Sequence, residues 1–231
     1  MRTVLVVDDE PHIREVLRAY LEADGHRVVE AHSGEDALTV IERDPVDLVL
    51  LDVMLPGIDG LETLRRIRTR SEVFVILVTA RAEEVDTLIG LAVGADDYVT
   101  KPFSPREVAA RVTAVLRRDR RSGGDGADVV RQAGFVLDRD RHEVLVDDRP
   151  VELTALEFDL LATLAGAPGR VWSRGQLLRE VWGHDWIGDE RVVDVHIRSI
   201  RARLGDDANS PRFLATVRGV GYKFLPDRGP A

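Results

Sequence analysis

Up to about residue 120, short apolar runs of strand length alternate with segments whose apolar residues recur at helical spacing. A parallel sheet covered by helices is the architecture that absorbs such an alternation. The pattern predicts strands over 3–8, 27–31, 47–52, 73–79 and 95–99. Between them Ile13, Val16, Leu17, Tyr20 and Leu21 mark one helix, and Val108, Val112, Val115 and Leu116 mark the last. Pro11 and Pro105 stand where a first helical turn tolerates proline, and Ser33 with Asp36 and Ser104 with Glu107 have capping-box spacing or a close variant. The expectation is an α/β fold, a doubly wound five-stranded parallel sheet.

The periodicity stops at Arg121-Ser122-Gly123-Gly124-Asp125-Gly126-Ala127-Asp128, which reads as a linker. Beyond it, Phe135 to Leu153 alternates with period two and predicts a small antiparallel sheet. Thr154 with Glu157 and Ser173 with Gln176 then open two helices. A third helix is expected over about 189–204, and Arg218-Gly219-Val220-Gly221-Tyr222 closes the chain in a hairpin. The expected division is therefore 1–120, a linker at 121–128, a smaller α+β domain at 129–226 and a tail at 227–231. A chain of 231 residues is long enough for two such cores.

The absence of cysteine excludes disulfides and cysteine-ligated zinc. Met1-Arg2-Thr3 runs directly into a strand, without a signal-peptide core, and no apolar run approaches the roughly twenty residues that span a bilayer. A cytoplasmic address is expected by default. The net charge of -9 argues against indiscriminate nucleic-acid binding, but it is unevenly spread. Residues 1–121 carry 17 cations against 23 acids, whereas residues 191–223 carry seven cations against three. An acidic protein with one basic strip is a candidate DNA binder.

In a parallel sheet, functional groups gather beyond the carboxyl ends of the strands. Asp8 and Asp9 end the first predicted strand, Asp52 the third and Thr79 the fourth, and Lys101 follows the fifth. Lys101 stands out because the chain writes all but two of its 32 cations as arginine, the other lysine being Lys223. A compact ammonium suits a single phosphoryl oxygen better than a planar fork does. Carboxylates crowd together only around a shared cation, and an oxygen-only set suits Mg²⁺. Asp52 is then placed to attack phosphorus and form an acyl phosphate, with Lys101 and the Thr79 hydroxyl meeting the transferred group. Taken singly, Asp8 and Asp9 also read as strand-end caps, Asp52 as a turn former and Thr79 as an ordinary strand residue.

On the third helix of the second domain, Val193, Ile197, Ile200 and Leu204 form one apolar stripe, while Arg191, Val195 and Arg198 project from the opposite side. That side is free to enter a major groove, and Arg218 and Lys223 lie on the hairpin, where a minor groove or phosphate attracts a cation. A solvated helix face is the plain alternative. His196 and Tyr222 read either as phosphate contacts or as half-buried packing.

Residues 3–119 resemble the receiver domain of bacterial two-component response regulators, through Val-Val-Asp-Asp-Glu, Leu-Asp-Val-Met-Leu-Pro-Gly-Ile-Asp-Gly, Val-Thr-Ala-Arg and Gly-Ala-Asp-Asp-Tyr-Val-Thr-Lys-Pro-Phe. The resemblance implies Asp52 as phosphoacceptor, served by a sensor histidine kinase. It implies Mg²⁺ held by Asp8, Asp9, Asp52 and the Met54 carbonyl, with Thr79 and Tyr98 as a switch. It also implies a cis bond before Pro102 and an influence of Met54 and Arg81 on phosphate lifetime. Leu153 to Phe224 resembles the winged-helix effector domain of the OmpR/PhoB family, through Leu-Thr-Ala-Leu-Glu-Phe-Asp-Leu-Leu, Val-Trp-Gly, Val-Val-Asp-Val-His-Ile-Arg-Ser-Ile-Arg and Val-Arg-Gly-Val-Gly-Tyr-Lys-Phe. That likeness implies Trp182, Arg191, His196, Arg198 and Tyr222 at phosphates, Val195 and Arg201 near bases, and Arg218 in the minor groove. The loop from Gly183 to Gly188, with Trp186, resembles a segment that touches RNA polymerase.

Two departures stand out. Ser199 replaces an arginine that reads bases in some relatives, so the target sequence does not carry over. Thr87 replaces a basic residue that pairs with Glu107 across a dimer, although Leu88, Leu91 and Ala110 keep the apolar patch, Asp97 and Arg111 can still pair, and Glu107 can instead bond Arg111 within its own helix. The implied function is a transcription factor activated by phosphorylation, which promotes pairing of receivers and promoter binding. A constitutive DNA binder, its receiver serving only to dimerise, is the alternative. A phosphohydrolase is disfavoured because Met54 stands where a second acid would donate a proton.

Overall fold

The computed structural model describes residues 1–79, 94–116, 129–183, 186 and 189–227. The chain divides into two units, Met1–Arg117 and Arg118–Ala231. Leu88, Leu91, Thr87, Arg81, the linker at 121–128 and all of the 183–188 loop but Gly183 and Trp186 lie outside the described residues.

The first unit is built on β1 (Thr3–Val7), β2 (Arg27–Ala31), β3 (Leu48–Asp52), β4 (Phe74–Thr79) and β5 (Asp97–Thr100). All pair in parallel, in the order β2-β1-β3-β4-β5. Around the sheet lie α1 (Pro11–Ala23), α2 (Gly34–Arg43), α3 (Gly60–Arg68) and α4 (Pro105–Leu116). Successive strand residues point to opposite faces. Val4, Val6, Leu48, Leu50, Ile76 and Val99 pack with Leu17 and Leu21 of α1 and Val108, Val112, Val115 and Leu116 of α4. The intervening Leu5, Val49, Leu51, Val75 and Leu77 are equally buried. Burial on both faces explains why these strands read as continuous apolar runs, and each buried side chain contributes about 1.5–3 kcal/mol.

Local chemistry sets the helix starts. Ser33 accepts the Asp36 N–H and Asp59 accepts the Glu62 N–H as N-caps of α2 and α3. At Ser104, the backbone carbonyl receives the Glu107 N–H. Arg68, at the end of α3, donates to Gly94 O (2.8 Å), Val73 O (2.6 Å) and Asp96 (2.9 Å), tying that helix to the approach of β5.

The second unit holds two antiparallel sheets. One contains β6 (Val129–Gln132), β7 (Phe135–Asp138), β8 (Glu143–Val146) and β9 (Arg149–Pro150); the other is ordered β10 (Trp172–Ser173), β12 (Gly221–Phe224), β11 (Leu214–Val217). The helices are α5 (Ala155–Ala165), α6 (Arg174–Leu177), which continues as a π-helical turn over Leu178–Trp182, and α7 (Arg191–Leu204). Both expected capping boxes are present, Thr154 with Glu157 and Ser173 with Gln176. Gly221 is required where β12 meets β10, since a Cβ there would lie 1.9 Å from Trp172 O. The observed architecture agrees with the expected doubly wound α/β unit followed by a smaller α+β unit. No helix among the described residues is long and apolar enough to cross a membrane.

Candidate functional site

At the carboxyl ends of β1 and β3, Asp8 and Asp52 are buried and Asp9 is exposed, and one ligand oxygen from each lies within 4.8 Å of the others. Lys101, just past β5, donates Nζ to Asp52 Oδ2 (2.7 Å) and Asp8 Oδ2 (3.0 Å), with Glu10 at 3.7 Å. The Met54 N–H reaches Asp52 Oδ1 (3.1 Å) and the Glu10 N–H reaches Asp8 Oδ1 (2.9 Å). Thr79 is buried at the end of β4, and its carbonyl receives the Lys101 N–H at 2.6 Å. The peptide between Lys101 and Pro102 is cis, as expected. Arg14 supports the edge from below, donating to Asp8 O (2.6 Å) and Glu30 (3.2 Å).

Burial pushes the Asp8 carboxyl above its ordinary range, against the opposing pull of the Glu10 N–H and Lys101. Burial also penalises the Lys101 ammonium, but its bonds and charge interactions with Asp52 and Asp8 outweigh that and hold its pKa above the usual value. Three clustered carboxylates, two of them bonded to one ammonium and the third, Asp9, open to solvent, offer oxygen ligands that fit a hard divalent cation. The β3–α3 connection fixes Asp52. The Gly60 N–H donates to Val53 O at 2.9 Å, and a Cβ on Gly60 would lie 2.1 Å from Asp52 O. The sequence reading did not single out Gly60, and its signal was the turn-forming Gly-Ile-Asp-Gly that precedes α3.

Tyr98 is half-buried on β5, in register with Leu77, and its carbonyl receives the Arg111 guanidinium at 3.3 Å. Asp97 and Arg111, expected at the dimer interface, are both buried and pair with each other within the chain at 3.2 Å. Glu107 bonds Arg111 at 2.9 Å along α4, the alternative foreseen for it, and Ala110 is half-buried beside them.

In the second unit, α7 buries Val193, Ile197, Ile200 and Leu204 as the stripe predicted, and also Val192, His196 and Ser199. Arg191 and Arg198 are exposed and Val195 half-exposed on the other side, while Arg218 is exposed and Lys223 half-exposed on the β11–β12 hairpin. Of the residues expected at nucleic acid, His196 and Trp182 are buried, and Tyr222 and Arg201, like Ser199, have a partner within the chain. His196 is fully buried, with its ring against Trp182 at 5.6 Å between centroids, and Trp182 is buried as well. The Tyr222 hydroxyl donates to Asp194 at 2.7 Å, and the Ser199 hydroxyl donates to the buried carboxylate of Glu157. The Arg201 guanidinium donates to Leu214 O (2.8 Å) and Thr216 Oγ1 (2.9 Å). These residues share a helix or hairpin with exposed arginines, and a one-dimensional pattern cannot separate a contact from the packing behind it. Burial, then the Asp194 bond, pushes the Tyr222 phenol up to about 12. Trp186 is half-exposed, 6.4 Å from Trp182 between ring centroids.

Residues 4–113 match the response regulator receiver domain family, and residues 148–224 match the family described as transcriptional regulatory protein, C terminal. The chain is 46% identical over 226 residues to the sensory transduction protein RegX3 of Mycolicibacterium smegmatis, covering 97% of this chain and 99% of that protein. It is 45% identical to the transcriptional regulatory protein AfsQ1 of Streptomyces coelicolor, covering 98% and 99%. Among solved structures it resembles the response regulator DrrB of Thermotoga maritima, described as an OmpR/PhoB homolog, at 36% identity and a TM-score of 0.52 over 98% of this chain and 100% of that one. It also resembles a mutant of RitR, at 27% identity and a TM-score of 0.78 over 97% and 99%. An acid pocket at one end of a doubly wound sheet, a cationic helix in a second unit and these full-length likenesses lead to one conclusion: the chain belongs to the two-component response regulators whose receiver is joined to an OmpR/PhoB-type DNA-binding domain, and it is a regulator of transcription.

Proposed function

We propose that Asp52 is the phosphoacceptor and that its modification, by a cognate sensor histidine kinase, raises promoter affinity through pairing of receivers. The observation that carries this reading is the convergence of Asp8, Asp52 and Lys101 within 3.0 Å contacts at the carboxyl edge of the sheet. One carboxylate oxygen of Asp52 attacks phosphorus, the bond to the donor's leaving group breaks, and the phosphoryl group remains as an acyl phosphate. Lys101 already sits on that carboxylate and transfers its donation to an incoming phosphoryl oxygen. The buried Thr79 hydroxyl stands beside the same edge, and a shift of Thr79 toward the new group draws on Tyr98 two strand positions away from the pocket. Asp8, Asp9, Asp52 and the Met54 carbonyl would hold Mg²⁺. When bound, Mg²⁺ neutralises charge that would otherwise oppose approach of the phosphoryl group. The receiver assists only its own phosphorylation and dephosphorylation.

On the output side, Arg191, Val195 and Arg198 face the major groove, Arg198 and Arg191 also serving phosphates, and Arg218 and Lys223 reach the minor groove or backbone. Ala110 and Glu107, with Leu88 and Leu91, form the receiver's pairing face. Trp186 and its loop meet RNA polymerase in the cytoplasm. Pairing raises affinity because the second half-site contact becomes nearly intramolecular.

The test is labelling of full-length protein by radioactive acetyl phosphate with Mg²⁺, followed by promoter binding. Asp52→Ala loses the label and the phosphorylation-dependent gain in affinity. Label persisting on that variant would place the acceptor elsewhere, and equal affinity with and without label would favour the constitutive reading.

A further inference from the structure

A carboxylate lies in the interior of the DNA-binding unit. Glu157, on the first turn of α5, is fully buried. Its Oε2 accepts the Thr154 N–H (2.9 Å) and faces Arg203 Nε (3.2 Å), and its Oε1 accepts the Ser199 hydroxyl (2.5 Å). Arg203 continues the tie by donating to Glu152 O at 2.9 Å. Two of these groups, Ser199 and Arg203, belong to α7, and the others belong to the start of α5. A capping box alone needs only the local bond to Thr154; the reach across to α7 is additional.

A buried carboxylate is costly unless its lone pairs are met, so its partners are held in place. Ser199 directly follows Arg198, the exposed cation in the middle of the groove-facing side. Side-chain positions on a helix lie about 5–6 Å from the axis, so a rotation of roughly 20° moves them about 2 Å. Displacement on that scale breaks a hydrogen bond. Apolar packing of Val193, Ile197 and Ile200 resists such a rotation together with the bonds of Asp194 to Arg174 and Tyr222 and of Arg201 to Leu214 O, while Glu157 ties the side of the helix that faces α5.

We propose that the Glu157–Ser199 pair is a positioning device for base recognition. It fixes the rotation of α7 about its own axis, and so the aim of Arg198, Val195 and Arg191, without touching DNA. The inference rests on α7 being the base-reading helix. It also gives Ser199 a role different from that of a base reader: its hydroxyl is spent on the inner side of the helix.

Full-length protein is tested against a duplex selected by the parent protein from a random library and against a scrambled duplex of the same composition. Ser199→Ala and Glu157→Gln should each lower the ratio of the two affinities by roughly tenfold. The dependence of binding on salt should change by much less than for Arg198→Ala, since neither substitution removes a cation. The double variant should be no worse than the poorer single variant, as members of one pair behave. Thermal unfolding followed by circular dichroism confirms that the variants are folded at the assay temperature; a purely structural role would lower that transition and leave the ratio intact, which overturns the proposal. Additive losses, or a Ser199→Ala effect confined to one base pair and absent from Glu157→Gln, also overturn it. Arg198→Ala, measured alongside, separates the two layers. If Arg198→Ala leaves binding unchanged, α7 is not the groove helix and both readings fall; if it weakens binding while the pair shows no coupling, only the positioning role falls.

Discussion

Asp8 is the pocket residue whose charge is most at odds with its surroundings. Burial lifts its pKa above 3.8, so the folded state holds the proton more tightly than the unfolded chain does. Ionising it as pH rises through that range therefore costs stability, and a neutral isostere escapes the cost. Asp8→Asn should raise the stability of the metal-free protein by about 1 kcal/mol and abolish the rise in midpoint temperature on adding Mg²⁺, both read by thermal unfolding. Tyr222 gives the complementary case at high pH. Its pKa is pushed up to about 12 from 10.0, so its contribution is complete below pH 10 and is lost as pH climbs toward 12. Unfolding of the DNA-binding unit should show that alkaline loss, and Tyr222→Phe should remove it. Asp8, Asp52 and Lys101 were legible in the sequence because strand ends in a parallel sheet bring distant residues to one edge. The inward role of Ser199 was not, and packing was only one of two readings for Tyr222 and His196, because polar side chains on a cationic helix or hairpin carry no mark of the partner that covers them.

The central strands β1, β3 and β4 were readable because burial on both faces turns each into an apolar run. β6 was not: Val129–Gln132 is short and mostly half-buried, which leaves no contrast between its faces. The π-helical turn at Leu178–Trp182 was equally hidden, since spacing cannot distinguish it from an ordinary helical turn. The junction of β3 and α3 offers the sharpest test at this level. Gly60→Ala forces a Cβ to within 2.1 Å of Asp52 O, so loop or helix must shift. The variant should lose about 2 kcal/mol in urea unfolding, and its labelling by acetyl phosphate should slow, because the displaced backbone carries Asp52, the proposed acceptor.

Across the whole molecule, a net charge of -9 coexists with seven cations against three acids in residues 191–223. DNA binding by such a chain is local, and its salt dependence counts few phosphates. Arg198→Ala should flatten the slope of log affinity against log salt by roughly one unit, as measured by anisotropy titration over a range of ionic strength. The sheet of the receiver adds one more consequence. β3, which carries Asp52, is bonded to neighbours on both sides, whereas β5 is laced to β4 alone. Displacing the central strand would disturb two ladders of backbone hydrogen bonds, whereas displacing β5 would disturb one. The fold thus sets Asp52, the proposed point of modification, on an interior strand and Tyr98, its proposed responder, on an edge strand of the same sheet.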